Sequence, residues 1–307
     1  MKSKLRIIIS GIFYPFSMMS FFIKAFQRRD DVELFLVGAY TGDWIPWSGG
    51  LRLPQKYIII PDLPLPQVTI ANHIPYSMVE NQIPWQPNLW LQIDAGFHFT
   101  TRPKANVVAH IQTDPHVLKP TYKLPKSYSD VNFSMQLHYM ENGEFYLPYA
   151  YDPTIHYPMN LKKEYDACLI GLHYDKRTAL VEAIRNKGFK VYYSIGEIYD
   201  QYREQYNKSK VALSWSSLED VPARVFEAMG MKIALVANRV PDMANFFVDG
   251  EHYLGFDTVE EGVEQTLKLL RNEELRKDIA CAGHEKAKAA HQWDFRANQI
   301  LETCKLK

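Results

Sequence analysis

Residues Ser214 to Ala237 read SWSSLEDVPARVFEAMGMKIALVA. The stretch predicts a strand end, a short loop, a helix over 223–229 and a further strand over 233–236. Pro222 suits the first helical turn, where its missing N–H would have had no partner. Gly230 can end the helix. A helix starting here points its unpaired N–H groups and its positive dipole end back into the loop. Such a place takes an anion, most often a phosphate. Glu219 in the loop and Glu227 on the helix are separated by seven residues. Glu227, about one turn in, can accept hydrogen bonds from two neighbouring hydroxyls, as a ribose diol offers. Glu219 lies ahead of the helix, where a distal group of the same ligand would sit. The helix start and Arg224 lie between them and suit a diphosphate. The ligand implied is a sugar nucleotide, and the alternative from spacing alone is a solvated helix with surface acids.

Around this stretch, the second half of the chain alternates strand and helix. Strands are predicted over 166–170, 189–194, 211–214, 232–237 and 252–256. Helices are predicted over 175–186 (with Asp175 as its cap), 197–206 and, briefly, near 243–247. Thr258 and Glu261 form a capping box that opens a helix to about Leu270. Helices over 273–290 and 293–304 follow. This alternation argues for a parallel sheet covered on both faces.

The glutamate pair resembles the Glu-x7-Glu element of the family-4-like glycosyltransferases of GT-B architecture. Pro222, Arg224, Phe226, Glu227 and Ala228 are similar to the Pro-x-Arg-x-Phe-Glu-Ala run of the CgeB-like (spore-maturation protein) branch. The resemblance implies an α/β fold with two Rossmann-like doubly wound domains and an inter-domain cleft. It implies that Glu227 holds the nucleotide ribose and that Glu219 contacts the donor sugar. It also implies diphosphate-neutralising residues in Gly171–Arg177, GLHYDKR, which makes His173, Lys176 and Arg177 donor-side candidates with Arg224. Val221 joins them from the loop after Glu219. One departure stands out. The common family loop has Gly-Phe-Gly after the first Glu, and here Asp220, Val221 and Pro222 follow, of which Pro222 has no amide to donate. Family members retain anomeric configuration without a metal, and no Asp-x-Asp motif is present. The nucleotide sugar is then a co-substrate, with no resident cofactor and no metal ligand set.

The first half opens as a doubly wound α/β domain. Its elements are a strand over 5–10, a turn at Gly11, a helix over 16–27 and a strand over 32–38. The resemblance makes Gly11 a weak counterpart of a glycine turn bordering the donor phosphates. Residues 41–53 read as a loop carrying Trp44 and Trp47, 57–60 as a strand and 74–82 as a short helix. Asp94 and Asp114 directly follow apolar strands predicted over 89–93 and 106–111. Ligands of open α/β sheets collect beyond such strand ends. Asp94, Asp114 and His116 are therefore the candidate acid–base residues, of the kind that an inverting enzyme would need, the last two within VVAHIQTDPHVL. Lys119, Lys123, Lys126 and Tyr122 read as a basic aromatic loop that would meet an anionic acceptor. Strands over 130–135 and 144–147 end this half. The run LPYAYDP, 147–153, frames a linker with prolines. Domains are expected over 1–153 and 154–290, and the resemblance implies that a helix over 291–307 crosses back to the first domain.

Lys plus Arg and Asp plus Glu each number 35, so bulk charge does not favour a nucleic-acid-coating protein. The 3 cysteines are widely spaced, without metal-site or disulfide spacing. A reducing, cytoplasmic setting is the expectation. Residues 5–26 are apolar enough to suggest a membrane span, but Arg6, Gly11, Pro15 and Lys24 interrupt them. The functional expectation is transfer of a sugar from a nucleotide donor to an acceptor hydroxyl on a glycan, a small molecule or a modified nucleic acid. A non-catalytic module binding sugar nucleotides or glycans is the alternative.

Overall fold

The structure is a computed structural model and describes residues 4–14, 17–41, 44–45, 51–52, 65–94, 96–216 and 218–306. The chain divides into two compact units: Met1–Pro148 with Trp293–Lys307, and Tyr149–Gln292.

In the first unit, Ile7, Ile8 and Ile9 make β1 (Leu5–Phe13) a strand buried on both faces. The turn expected at Gly11 is not there. The strand runs three residues further than expected, to Phe13, and Gly11 pairs in register with Gly38 of β2 (Val32–Tyr40). A Cβ on Gly38, whose φ is +155, would collide with the Gly11 carbonyl oxygen. A Cβ on Gly11 would lie 2.9 Å from both the Ile93 carbonyl oxygen and Met19 Sδ. Gly11 therefore allows close approach of backbone and side chain rather than a turn.

The sheet also contains β5 (Val68–Thr69), β6 (Leu89–Ile93), β7 (Val107–Gln112), β8 (Val131–Ser134) and β9 (Phe145–Tyr146). Its order is β5-β2-β1-β6-β7-β8-β9, and all its pairings are parallel. The order reverses between β1 and β6. In the stretch expected to be a loop, β3 (Trp44–Ile45) and β4 (Leu51–Arg52) pair antiparallel. The strand expected over 57–60 lies outside the described residues. Two 3-10 turns, Tyr76–Met78 and Glu80–Gln82, replace the short helix expected over 74–82.

α1 (Met18–Gln27) buries Phe22, Ile23 and Phe26. Against it in the same unit packs α8 (Trp293–Thr303). Trp293 lies 5.6 Å from Phe21, stacked, and 4.9 Å from Phe22, edge-on. Arg28 pairs with Asp294 at 2.7 Å. No described helix is long and apolar enough to cross a membrane.

The second unit has a parallel sheet of β10 (Tyr165–Ile170), β11 (Val191–Ser194), β12 (Ser209–Ser214), β13 (Ala234–Asn238) and β14 (Leu254–Phe256), in the order β11-β10-β12-β13-β14. Crossovers pass through α3 (Asp175–Arg185), α4 (Tyr199–Asn207) and α5 (Ala223–Gly230), and a 3-10 turn (Pro241–Asn245) stands where a short helix was expected. α6 (Val259–Arg271) and α7 (Glu273–Ala290) follow. Leu169, Leu213, Val236, Phe256 and Leu269 share one core. Thr258 caps α6 by accepting the Glu261 N–H at 3.2 Å. The order reverses between β10 and β12, the kind of switch point where α/β sheets take ligands beyond the strand ends.

Candidate functional site

The switch point of the second unit gathers most of the residues singled out on its half of the chain. α5 starts at Ala223, and Pro222 stands just ahead of it in extended backbone, φ −73 and ψ 154. Val225, Phe226, Ala228 and Met229 bury the inner face of the helix. Glu227, on the other side, is 14% exposed at its side chain. Tyr202 Oη donates to Glu227 Oε2 at 2.6 Å. Burial, and then the Glu227 charge, push the Tyr202 hydroxyl well above its usual range, so it remains a donor. His156 Nε2 faces Glu227 Oε1 at 3.7 Å. His156 Nδ1 accepts the Asp152 N–H at 3.2 Å, so in the neutral ring the proton sits on Nε2. Burial lowers the His156 pKa and favours that neutral ring.

Two guanidinium groups stand at the same strand ends. Arg224 Nε donates to the Ile170 carbonyl at 2.9 Å, at the end of β10. Arg177 Nε donates to the Trp215 carbonyl at 2.7 Å, just beyond β12, and its Nη1 to the Leu172 carbonyl at 2.9 Å. They flank Gly171: a Cβ there would collide with Arg224 Nη2 and lie 3.6 Å from Arg177 Nη1. Gly171 has φ +149 and leaves both groups room. Among the described residues, the buried Arg224 Nη1 has no hydrogen-bond partner. Burial, and then Arg224, lower the Arg177 pKa to about 10, so it stays charged at neutral pH. Two guanidinium groups held this way have the charge and geometry to take an anion.

The other predicted donor-side residues border this site unequally. Val221 is buried in the loop before α5, and Glu219 is exposed there in the left-handed region, φ 60. Ser216 braces the loop: its Oγ bonds Asp220 Oδ1, and its N–H donates to Asn238 Oδ1 at 2.7 Å. Lys176 is exposed, its Nζ 5.9 Å from the Trp215 ring centroid. His173 packs on Tyr193 with ring centroids 4.0 Å apart. Tyr174, not Asp175, holds the cap position of α3, and Asp175 falls in the first turn.

In the first unit, Tyr122 joins two of the candidate acid–base residues. Its hydroxyl donates to Asp94 Oδ1 at 2.7 Å and accepts the Asp114 N–H at 3.2 Å. Asp94 follows β6 with φ 64. His116 turns to Tyr139, with centroids 5.1 Å apart. The basic loop expected over 119–126 is instead part of α2 (Pro115–Tyr128). Lys119 pairs with Glu141 at 2.5 Å, and Lys126 with Glu141 and Glu144. The charges expected to meet an anionic acceptor are largely spoken for.

Residues 156–302 match the family model described as "Glycosyl transferase-like". Over that span the chain is similar to the glycosyl transferase-like family. No curated protein matches it. Solved structures share the whole fold at low identity. HepE from Anabaena, in complex with UDP and glucose, superposes with a TM-score of 0.64 at 10% identity, covering 98% of this chain and 99% of that one. A glycosyltransferase from Rickettsia africae gives 0.62 at 10% identity, covering 98% of each chain. Sucrose-phosphate synthase from Thermosynechococcus elongatus gives 0.61 at 11% identity, also covering 98% of each. The fold is GT-B, with two Rossmann-like parallel sheets.

Within the glycosyl transferase-like span, sequence reasoning missed Tyr202 and His156. Neither lies in the glutamate motif. Their one local signal is weak: Tyr202 and Tyr206 recur at helical spacing on α4, and His156 follows the proline-framed run. A cavity of about 470 Å³ in the same unit lies away from the glutamates. It is lined by Lys163, Asn207, Lys232, Lys277 and Cys281 among others.

Proposed function

We propose that this glycosyl transferase-like protein moves a sugar from a nucleotide-sugar donor to an acceptor hydroxyl, with retention and without a metal ion. The observation that carries the reading is the grouping of Glu227, Arg224 and Arg177 at the β10–β12 switch point. One carboxylate suits a ribose diol, and two guanidinium groups with the first N–H groups of α5 suit a diphosphate. When the bond from the sugar's anomeric carbon to the diphosphate oxygen breaks, its electron pair leaves with the diphosphate. Fixed positive groups at that oxygen stabilise the charge as it develops. Glu219 is assigned to the donor sugar, and Lys176, His173 and Val221 to the remainder of the donor. Asp94, Asp114 and His116 are assigned to the acceptor hydroxyl. The bound UDP and glucose of HepE support a nucleotide-sugar donor. The nucleotide sugar is the co-substrate, with no resident cofactor, and the three free thiols fit a cytoplasmic setting.

The test is nucleoside diphosphate release from a panel of nucleotide sugars, with and without hydroxylated acceptors. Release that depends on acceptor, and that falls about a hundredfold in Glu227→Ala, is the expected result. Donor turnover unchanged in that variant would overturn the reading. Binding without any release would leave a non-catalytic module.

A further inference from the structure

α4 does more than cross between two strands. It carries Tyr202, whose hydroxyl holds Glu227 Oε2 at 2.6 Å. It also clamps the segment that carries His156. Arg203 Nη1 donates to the Ile155 carbonyl at 2.8 Å, and its guanidinium lies 4.2 Å from the Tyr157 ring centroid. Asn207 accepts the Met159 N–H at 2.7 Å and donates to the Tyr157 carbonyl at 3.2 Å. His156 is thus held from both sides in sequence, with Nδ1 occupied by the Asp152 N–H and Nε2 facing Glu227 Oε1.

A carboxylate has roughly four acceptor positions, two on each oxygen. Tyr202 takes one on Oε2, and His156 Nε2 stands 3.7 Å from Oε1, beside the carboxylate but outside hydrogen-bond distance. The Tyr202 bond restrains the carboxylate's rotation and leaves acceptor positions on both oxygens. Two adjacent acceptors in a fixed plane match two adjacent hydroxyls. They do not match a ring that carries only one.

We infer that Tyr202 and His156 are positioning residues that aim the Glu227 carboxylate and so set a preference for ribonucleotides over 2′-deoxyribonucleotides. This rests on the assignment of Glu227 to the ribose. Neither residue touches the reacting atoms. Each acts through the orientation of one side chain.

The experiment is calorimetric titration of the full chain with UDP, GDP, ADP and CDP, each beside its 2′-deoxy form, and with pyrophosphate. The wild-type protein should favour the ribo form of the nucleotide it binds. In Tyr202→Phe, which removes one oxygen and little volume, that preference should shrink about tenfold while pyrophosphate affinity stays the same. His156→Ala should move the ratio the same way. A structural role alone would weaken pyrophosphate and both nucleotide forms together, which would overturn the inference. An unchanged ribo-to-deoxy ratio in both variants, with the wild-type preference present, would overturn it and leave the Glu227 assignment standing. No preference in the wild-type protein would overturn both.

Discussion

Arg224 donates its Nε–H to the carbonyl of Ile170, 54 positions earlier in the chain, at 2.9 Å. The bond ties the helix of the glutamates to the end of β10. It restrains the guanidinium and leaves its buried Nη1 without a hydrogen-bond partner among the described residues. If that fork meets a diphosphate, Arg224→Lys should weaken nucleoside diphosphate binding about tenfold, because an ammonium keeps the charge and loses the planar geometry. Arg224→Ala should weaken it further. Titration calorimetry against pyrophosphate isolates the effect from ribose contacts. Full affinity in both variants would place the diphosphate elsewhere.

Gly171 offers a test that leaves every charge in place. Gly171→Ala puts a Cβ into the Arg224 guanidinium and strains a backbone at φ +149. The expected outcome is a loss of about 1–3 kcal/mol in denaturant unfolding together with weaker pyrophosphate binding. Gly188→Ala is the control. Its φ is +87, but nothing lies within 4 Å of the added atom. It should cost stability and leave binding alone.

His110 makes the first unit sensitive to acid. The ring is fully buried in β7, and burial lowers its pKa from 6.5 to about 3. The carbonyl of Asp94 opposes that shift, while His98 and Lys126 reinforce it. Above pH 6.5 the ring is neutral in both folded and unfolded chains and contributes no pH dependence. As pH falls below 6.5 the unfolded chain gains a proton that the folded chain refuses, so stability drops until the buried ring protonates near pH 3. At about pH 4.5 the loss from this one group is about 2–3 kcal/mol. His98, lowered to about 4 by burial and by His73, acts in the same direction. Denaturant melts at about pH 7 and about pH 4.5 should differ less in His110→Gln than in the wild-type protein.

Trp293 anchors the last helix within the first unit. It is 1% exposed and packs against Phe21 and Phe22. Trp293→Ala should destabilise that unit by about 3–5 kcal/mol, through lost burial and the cavity left behind. Trp293→Phe should recover part of the loss. Unfolding followed by denaturant midpoint checks both.

Much of the candidate site was legible because its signals are local. The proline before α5, its short apolar face and the glutamate one turn in all lie within a dozen residues, where helical period and end effects act directly. Gly11 was misread for a physical reason. A glycine after a β-branched run fits a turn, but it equally fits a strand whose neighbour comes too close for a Cβ, and only Gly38 across the pair distinguishes the two. α2 was misread because Pro120 and Pro125 argue against a helix interior. Tyr122, buried at the middle of that helix with its hydroxyl on Asp94, is a tertiary contact that favours the helix over a loop.

Sequence alone determined the succession of parallel strands and crossover helices in the second half of the chain, and it placed Glu219, Arg224 and Glu227 around one helix start. Alternating apolar runs and helix-end chemistry act over a few residues and can be read without a structure. Only the tertiary structure decided which distant groups meet them. Ile170 is 54 positions from Arg224, and Tyr202 is 25 from Glu227. Parallel strands are joined by long crossovers, so neighbours at a strand end come from separate parts of the chain. No local pattern encodes which of them will share a hydrogen bond.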